Sequence, residues 1–173
     1  MTAEGGLRHK YLWAGSIAGI IIVLDQFTKH LVDIHIRRYD LVPVIPGFFN
    51  LTNVRNKGAA FSFLAGLPDG WRGAFFISMT VIAVLVILAF IRNTREPLLV
   101  IAFSLIIGGA IGNVIDRIRL GEVIDFIQWY VKSWYWPSFN VADSAITVGV
   151  ALLAFDMLFM KKTGTNDQAP NHK

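Results

Sequence analysis

Four apolar stretches, separated by more polar segments, dominate the pattern of this chain. Each is close to the roughly 20 residues that a helix needs to cross a bilayer. We therefore predict four transmembrane helices, and an even number of spans places both termini on the same side of the membrane. The predicted spans are Tyr11 to Leu31, Gly73 to Ile91, Leu98 to Ile115 and Ala142 to Met160.

The long segments outside these spans, residues 32–72 and 116–141, are too apolar and aromatic to be plain linkers. Leu41 to Val54 contains short β-like runs broken by a Pro-Gly turn signal, which predicts a small sheet at the membrane surface. Trp129 to Trp136 is dense in amphipathic rings that settle at headgroup level, which predicts an interfacial segment. The expected fold is an all-α integral membrane protein with a small extracytoplasmic β-sheet. Residues 1–162 would form one membrane-embedded domain, and 163–173 a disordered polar tail.

Composition supports the membrane class. Of the 173 residues, 54% are hydrophobic and 16% are charged, and the mean hydropathy is +0.54. The chain has no cysteine, which excludes disulfides, a thiolate nucleophile and a cysteine-based zinc site. Its four histidines have no metal-ligand spacing, so we expect neither a metal nor a cofactor. The net charge of +4 comes from scattered basic residues that flank apolar runs, which fits anionic lipid headgroups and not nucleic acid.

Basic residues beside the span ends predict the orientation. The rule that cytoplasmic loops are positive concerns short loops and residues adjacent to spans. Arg92 and Arg95 lie in such a loop, and Lys161 and Lys162 follow the last span. Both termini are therefore predicted to be cytoplasmic, and the two long segments to face outward.

Two aspartates, Asp125 and Asp143, lie where predicted spans meet the membrane surface. An ionisable group at membrane depth is costly, so its default interpretation is functional. Asp125 lies among apolar neighbours, which raise the pKa of a carboxyl group, and a second carboxylate nearby makes double ionisation unfavourable. Asn140 is placed to cap the fourth helix, with Asp143 in its first turn near the positive end of the dipole, so Asp143 is the expected ionised partner. Aspartic proteases use such a proton-sharing pair.

Other polar positions are candidates for substrate binding or support. Asp25 and Lys29 are four residues apart and can pair on one helix face, a structural role near the outer end of the first span. Gly109, Asn113 and Arg117 share one face of the third helix at the same spacing. The segment from Asn56 through Gly58 to Ser62 is either a plain turn or a loop that grips substrate.

Three further expectations concern packing and surface exposure. Gly15 with Gly19, and the glycines at 108, 109 and 112, have the small-xxx-small form that lets helices approach closely. Asp156, near Lys161 and Lys162, is expected to be a surface carboxylate that snorkels toward the headgroups.

Two other classes of function remain open at this level. A serine/lysine peptidase would use Ser144 or Ser62 as the nucleophile with Lys29, Lys57 or Lys132 as the base. A proton-coupled transporter would use the aspartates as a relay, but it usually places charges near mid-membrane and often has an internal repeat, which this sequence lacks.

Five blocks of sequence, taken together, closely resemble the bacterial lipoprotein signal peptidase family, signal peptidase II. They occur in the family's order between about Tyr11 and Met160. The blocks are residues 25–29 (DQFTK), 56–61 (NKGAAF), 108–117 (GGAIGNVIDR), 123–126 (VIDF) and 139–144 (FNVADS).

This resemblance implies a metal-independent aspartic peptidase of the bacterial cytoplasmic (inner) membrane, with its site toward the outer leaflet. Its substrates would be prolipoproteins whose cysteine already carries diacylglycerol, cleaved on the amino side of that cysteine. Asp125 and Asp143 would be the catalytic pair, with Asp25 and Lys29 as supporting residues. The expected lining of the pocket for substrate and for cyclic peptide antibiotics of the globomycin type is Asn56, Gly58, Asn113, Arg117 and Asn140.

Overall fold

Four long helices and one small antiparallel sheet make up the computed structural model, which describes residues 3–58 and 69–160. Each predicted span lies within one helical region that is long and apolar enough to cross a membrane. The predicted fold class is confirmed. The tail from residue 163 lies outside the described residues. The helices are α1 (Ala3–His35), α2 (Asp69–Asn93), α3 (Pro97–Leu120) and α4 (Val141–Phe155), the last continued by a π-helix, Asp156–Met160.

The central helix is α3, which packs against all three others. Its glycines allow close approach: a Cβ on Gly108 would lie 2.9 Å from the carbonyl oxygen of Ala18 in α1. A Cβ on Gly109 would lie 2.8 Å from Ile146 in α4, and one on Gly112 would lie 2.6 Å from the Asp25 carboxylate. The packing role predicted for these glycines is confirmed.

The same prediction is wrong for Gly15 and Gly19. A Cβ at either position would have no described atom within 4 Å. The small-xxx-small pattern is local, whereas close packing requires a partner helix on the same face, and here α1 turns Ala14 and Ala18 toward the core instead.

Asp156 also differs from expectation, because it is only 6% exposed and is not a surface carboxylate. It lies seven residues after Gly149, and so on the same face of the helical run. A Cβ on Gly149 would lie 2.7 Å from the Ala102 carbonyl oxygen of α3. This face of α4 therefore packs against the rest of the protein, so the Asp156 side chain is buried and not exposed.

Both long segments between the spans contribute to the sheet, whose strand order is β1-β2-β3-β4. The predicted sheet in the first segment is present, and the second segment adds its other half. The predicted aromatic segment forms the end of β3 and the short β4, with Tyr130 opposite Tyr135. The strands are β1 (Leu41–Ile45), β2 (Phe49–Asn56), β3 (Val123–Val131) and β4 (Trp134–Tyr135).

The sheet is held against the end of α1 by apolar contacts. Ile124 and Phe126 of β3 pack on Val32 and Ile36 of α1. The chain reaches β3 directly from α3, because Gly121 ends that helix with φ +75° and its N–H binds the Arg117 carbonyl oxygen. These contacts fix β3 directly above the ends of α1 and α3.

We predict that Gly109→Ala destabilises the protein, because the added methyl group must enter the α3–α4 contact. Overpacking of this kind costs about 1–3 kcal/mol, and the melting temperature in detergent should fall. Gly15→Ala is the matched control: its methyl group meets nothing, and a helical Gly→Ala change is neutral or stabilising by up to about 1 kcal/mol. Equal melting temperatures for the two variants would contradict the packing assignment.

Candidate active site

The polar residues singled out from the sequence converge where the ends of α1 and α3, the start of α4 and strands β2 and β3 meet. The elements that supply them are far apart in sequence, but their side chains form one hydrogen-bonded group. The members predicted from the sequence are Asp25, Lys29, Asn56, Asn113, Asp125, Asn140 and Asp143.

Lys29 is the centre of the buried part of this group. The residue is 1% exposed, and its ammonium lies 2.8 Å from Asp25 and 2.9 Å from Asp116. The predicted Asp25–Lys29 pair is therefore present, together with a second carboxylate, Asp116, that was not among the predicted site residues. Two carboxylates against one cation at this depth satisfy the requirement that a buried charge be paired.

Each carboxylate also holds a neighbouring element. Asp25 Oδ1 accepts from the backbone N–H of Ala142 in α4 at 2.9 Å, and Asp116 Oδ2 accepts from that of Ile124 in β3 at 3.2 Å. The side chain of Gln26 donates to Asp25 and Asp116, at 3.2 and 3.0 Å. The charge cluster thus fixes the start of α4 and the residue preceding Asp125.

Asn113 and Asn140 connect this cluster to the two candidate aspartates. Lys29 donates to Asn113 Oδ1 at 3.0 Å, so the Asn113 amide nitrogen is free to donate to Asp143 at 2.8 Å. Asn140 Nδ2 donates to Asp125 at 2.7 Å, while its backbone N–H donates to Asp143 Oδ2 at 3.2 Å. Asp125 and Asp143 are therefore both hydrogen-bonded to Asn140.

The predicted cap of α4 is present. Asn140 accepts from the backbone N–H of Asp143 at 2.9 Å, and the return bond from its own N–H to Asp143 completes a capping box. Asp143 is thereby held in the first turn of the helix, where the dipole favours a negative charge.

Asp125 lies in β3 and is more deeply buried than Asp143. It is 2% exposed, and Ile124 and Phe126 on either side of it are also buried. Desolvation by burial raises the pKa of Asp125 to about 7, and the negative charge of Asp143 adds to this increase. The hydrogen bonds from Asn56 and Asn140 act in the opposite direction. At neutral pH this carboxyl group is therefore poised between its protonated and ionised forms.

Two of the residues predicted to line the pocket, Asn56 and Gly58, lie beside Asp125. Asn56 Nδ2 donates to Asp125 Oδ2 at 2.9 Å, and Asn56 Oδ1 accepts from the N–H of Gly58 at 2.8 Å. Gly58 has φ +88°, a conformation that favours glycine. The rest of the predicted gripping loop, residues 59–62, lies outside the described residues.

Phe76 of α2 was not predicted, yet it connects Gly58 to Arg117. A Cβ on Gly58 would lie 2.6 Å from Cζ of the Phe76 ring, and the Arg117 guanidinium lies 4.6 Å from the ring centroid. Arg117 also donates to the Asn113 carbonyl oxygen at 3.2 Å. An aromatic residue in an apolar span carries no signal of such a contact, because the partners come from other elements.

Comparisons with known proteins agree with this architecture. The family model of signal peptidase (SPase) II matches residues 17–159. The chain belongs to the signal peptidase II family. It is therefore a peptidase of the lipoprotein-processing type and a multi-pass membrane protein, as its four apolar helices require.

Relatives within the signal peptidase II family are similar over nearly their full length. The lipoprotein signal peptidase of Syntrophus aciditrophicus (strain SB) is 49% identical over 147 residues, 84% of this chain and 91% of the relative. That of Geobacter metallireducens is 49% identical over 163 residues, 93% of this chain and 99% of the relative. A bacterial membrane enzyme solved by the in meso method at 1.9 Å resolution has a TM-score of 0.76 at 35% identity, covering 84% of this chain and 92% of that one.

We predict that Lys29→Met strongly destabilises the protein. The substitution leaves Asp25 and Asp116 buried without their cation, and breaking a buried charge pair costs about 3–5 kcal/mol. The melting temperature in detergent should fall steeply. The control is Arg38→Met, since Arg38 pairs with Glu122 at 3.4 Å but is 59% exposed in its side chain, and exposed pairs are worth at most about 1 kcal/mol. A Lys29 variant no less stable than the Arg38 variant would contradict the central role of this cluster.

Proposed function

We propose that this protein is an aspartic endopeptidase that removes the signal peptide from diacylglyceryl-modified prolipoproteins. Cleavage would occur on the amino side of the lipidated cysteine. The relatives named lipoprotein signal peptidase support the substrate class. The observation that carries the mechanism is that Asn140 binds both Asp125 and Asp143, at 2.7 and 3.2 Å.

In this proposal the two carboxyl groups share one proton. One acts on the attacking water and the other on the scissile carbonyl. Asp143, which accepts hydrogen bonds on both carboxylate oxygens, is assigned the role of the ionised partner. Asp125, with its raised pKa, holds the proton. The ionised carboxylate takes a proton from water as the oxygen attacks the scissile carbonyl, and the protonated group polarises that carbonyl. The pair titrates as a unit, so each state belongs to both residues.

We assign substrate binding to the polar residues around the aspartate pair. Cyclic peptides of the globomycin type would bind at the same residues. Asn56 and Gly58 would hold the peptide backbone beside Asp125, and Arg117, held on the Phe76 ring, would face the carboxylate pair. Asn113 and Asn140 are 8% and 0% exposed, and their side-chain amides bind the two aspartates. They would therefore act on the substrate through the orientation of the carboxylates.

The lipid anchor of the substrate explains the site's position at the helix ends. Each buried CH₂ of a lipid chain is worth about 0.8 kcal/mol, so withdrawing the anchor from the bilayer would be prohibitive. A site at the rim lets water reach the carboxylates while the acyl chains stay in the hydrocarbon. We place it at the outer leaflet of the cytoplasmic membrane, with both termini cytoplasmic. The basic residues at the opposite helix ends support this orientation.

The geometry favours this function over the alternatives. The Ser144 hydroxyl donates to the Asn140 carbonyl oxygen at 2.9 Å, and Lys29 is held by two carboxylates, so neither is arranged as a nucleophile with its base. In a proton relay along the spans Asp25 would have to exchange partners, whereas here its carboxylate is held by Lys29 and by the backbone N–H of Ala142. Ser62 lies outside the described residues.

We predict that Asp125→Asn and Asp143→Asn each lower cleavage at least about a hundredfold, since acid–base catalysis contributes about 10²–10⁴. Each purified variant is incubated in detergent, with chelator, with one diacylglyceryl-modified prolipoprotein. Loss of the signal peptide is followed by gel shift. Unchanged cleavage by either variant would remove that residue from the mechanism.

The controls for this experiment separate folding from chemistry. Asp40→Asn makes the same chemical change at an exposed position and should leave cleavage unchanged. Ser144→Ala should also retain cleavage, and its inactivity would favour the serine/lysine peptidase. Melting temperatures near that of the wild type show that inactive variants are folded.

We also predict that the pH profile of kcat/KM has an alkaline limb near 7, where the proton on Asp125 is lost. The hydrogen bond from Asn56 stabilises the ionised carboxylate and lowers its pKa. Asn56→Ala removes this bond, so the pKa should rise and the alkaline limb should move to higher pH, whatever the loss of rate.

The matched control is Asn50→Ala. Asn50 lies on the same strand and donates across the same strand pair, but to Gln128 at 3.2 Å and not to a carboxylate. The alkaline limb of the pH profile should stay in place in the Asn50→Ala variant. A limb that moves to lower pH in Asn56→Ala, or that moves equally in both variants, would contradict the assignment of this pKa to Asp125.

A further inference from the structure

A cleft opens between α1 and α3 at the end of the helices opposite the aspartate pair. Its volume is about 350 Å³. Trp13 and Ile17 of α1 form one wall, and Pro97, Val100 and Ile101 of α3 form the other. Trp13 is 58% exposed and Ile101 is 40% exposed, so the cleft is open along its side. In a helix pair that spans a membrane, this side faces the acyl chains.

The packing of the two helices explains where the cleft begins. The helices run parallel and touch closely where Gly108 meets Ala18 and Gly112 meets Asp25. Ile17 immediately precedes Ala18, and the cleft extends from it toward the N-terminal ends of α1 and α3. There α3 presents Pro97, Val100 and Ile101 in place of glycine, and these side chains form its wall of the cleft.

The mouth of the cleft carries positive charge. His9, Lys10 and Arg95 complete its lining. The Lys10 ammonium is fixed by three carbonyl oxygens at the end of α2, those of Ile91, Arg92 and Thr94, at 3.1, 3.1 and 2.6 Å. His9 accepts from the Trp13 indole at 3.3 Å.

Arg95 differs from these two residues. It is exposed, and it has no hydrogen bond or ion pair among the described residues. Glu96, the adjacent acidic residue, is also exposed, and its side chain does not cap α3. A fixed positive charge therefore lies beside a guanidinium whose donors are available.

We propose that this cleft binds an anionic phospholipid. Its phosphate would pair with Arg95 in the field of Lys10, and one acyl chain would lie between Trp13 and Ile101. The two halves of the site argue for an amphiphile: a soluble phosphate would leave the apolar walls unoccupied, and a zwitterionic lipid would bring its own cation to a positive mouth. Basic pockets between helices at the membrane surface recognise anionic headgroups in this way. This site lies outside the peptidase mechanism and does not depend on it.

The test uses the full-length protein, delipidated in detergent and given equimolar phosphatidylglycerol and phosphatidylcholine. Native mass spectrometry measures which lipid stays bound. The wild type should retain phosphatidylglycerol preferentially. Arg95→Gln should lower that retention about fivefold, the effect of one basic residue near an anionic surface. Arg92→Gln is the matched control, because Arg92 is exposed at the same end and carries the same charge, but does not line the cleft.

A second variant tests the apolar half. Ile101→Trp should fill the cleft and reduce the retention of both lipids without a change of charge, and its melting temperature checks that it is folded. Equal loss in Arg92→Gln and Arg95→Gln would mean a general attraction to the basic surface and would overturn the proposal. Equal retention of the two lipids by the wild type, or no effect of either Arg95→Gln or Ile101→Trp, would overturn it as well.

Discussion

A buried ammonium at the helix ends is the constraint on which the rest of this structure depends. Lys29 is 1% exposed within a bundle of membrane spans, so its charge must be neutralised by the protein itself. Asp25 and Asp116 do this at 2.8 and 2.9 Å, and their remaining hydrogen-bonding capacity is used on the backbones of Ala142 and Ile124. A single charge therefore fixes α1, α3, the start of α4 and strand β3 relative to one another.

The same ammonium determines how the candidate site is oriented. By donating to Asn113 Oδ1, it makes the amide nitrogen of that side chain point at Asp143. Asn140 donates to Asn113 Oδ1 as well, at 3.2 Å, and to Asp125 at 2.7 Å. Each amide therefore has one orientation that satisfies all of its partners. In surroundings of low dielectric such a network is strongly favoured when complete and costly when broken, so the carboxylates are held in place before substrate arrives.

The sequence predicts those features that have a local signal. Span length follows from apolar runs, the Asp25–Lys29 pair from i, i+4 spacing, and the Asn140 cap from its place before an apolar helix. Features that depend on distant partners were missed: Asp116 was not predicted as a site residue although it pairs with Lys29, and β3 pairs with a strand about 70 residues earlier. Glycines show the limit most directly, since the same spacing packs in α3 and meets nothing in α1. A pattern on one helix does not reveal which of its faces has a neighbour.

The small sheet has a chemical consequence as well as a structural one. Asp125 is 2% exposed in β3, and this burial is the largest cause of its raised pKa. Asp143, a neighbour through Asn140, lies instead at a helix N-terminus with two donors on its carboxylate. Two like groups in unlike environments are the usual basis for separate acid and base roles. The strand that buries Asp125 is therefore part of the proposed acid–base chemistry, since an Asp125 open to water would lose the desolvation that favours its protonated form.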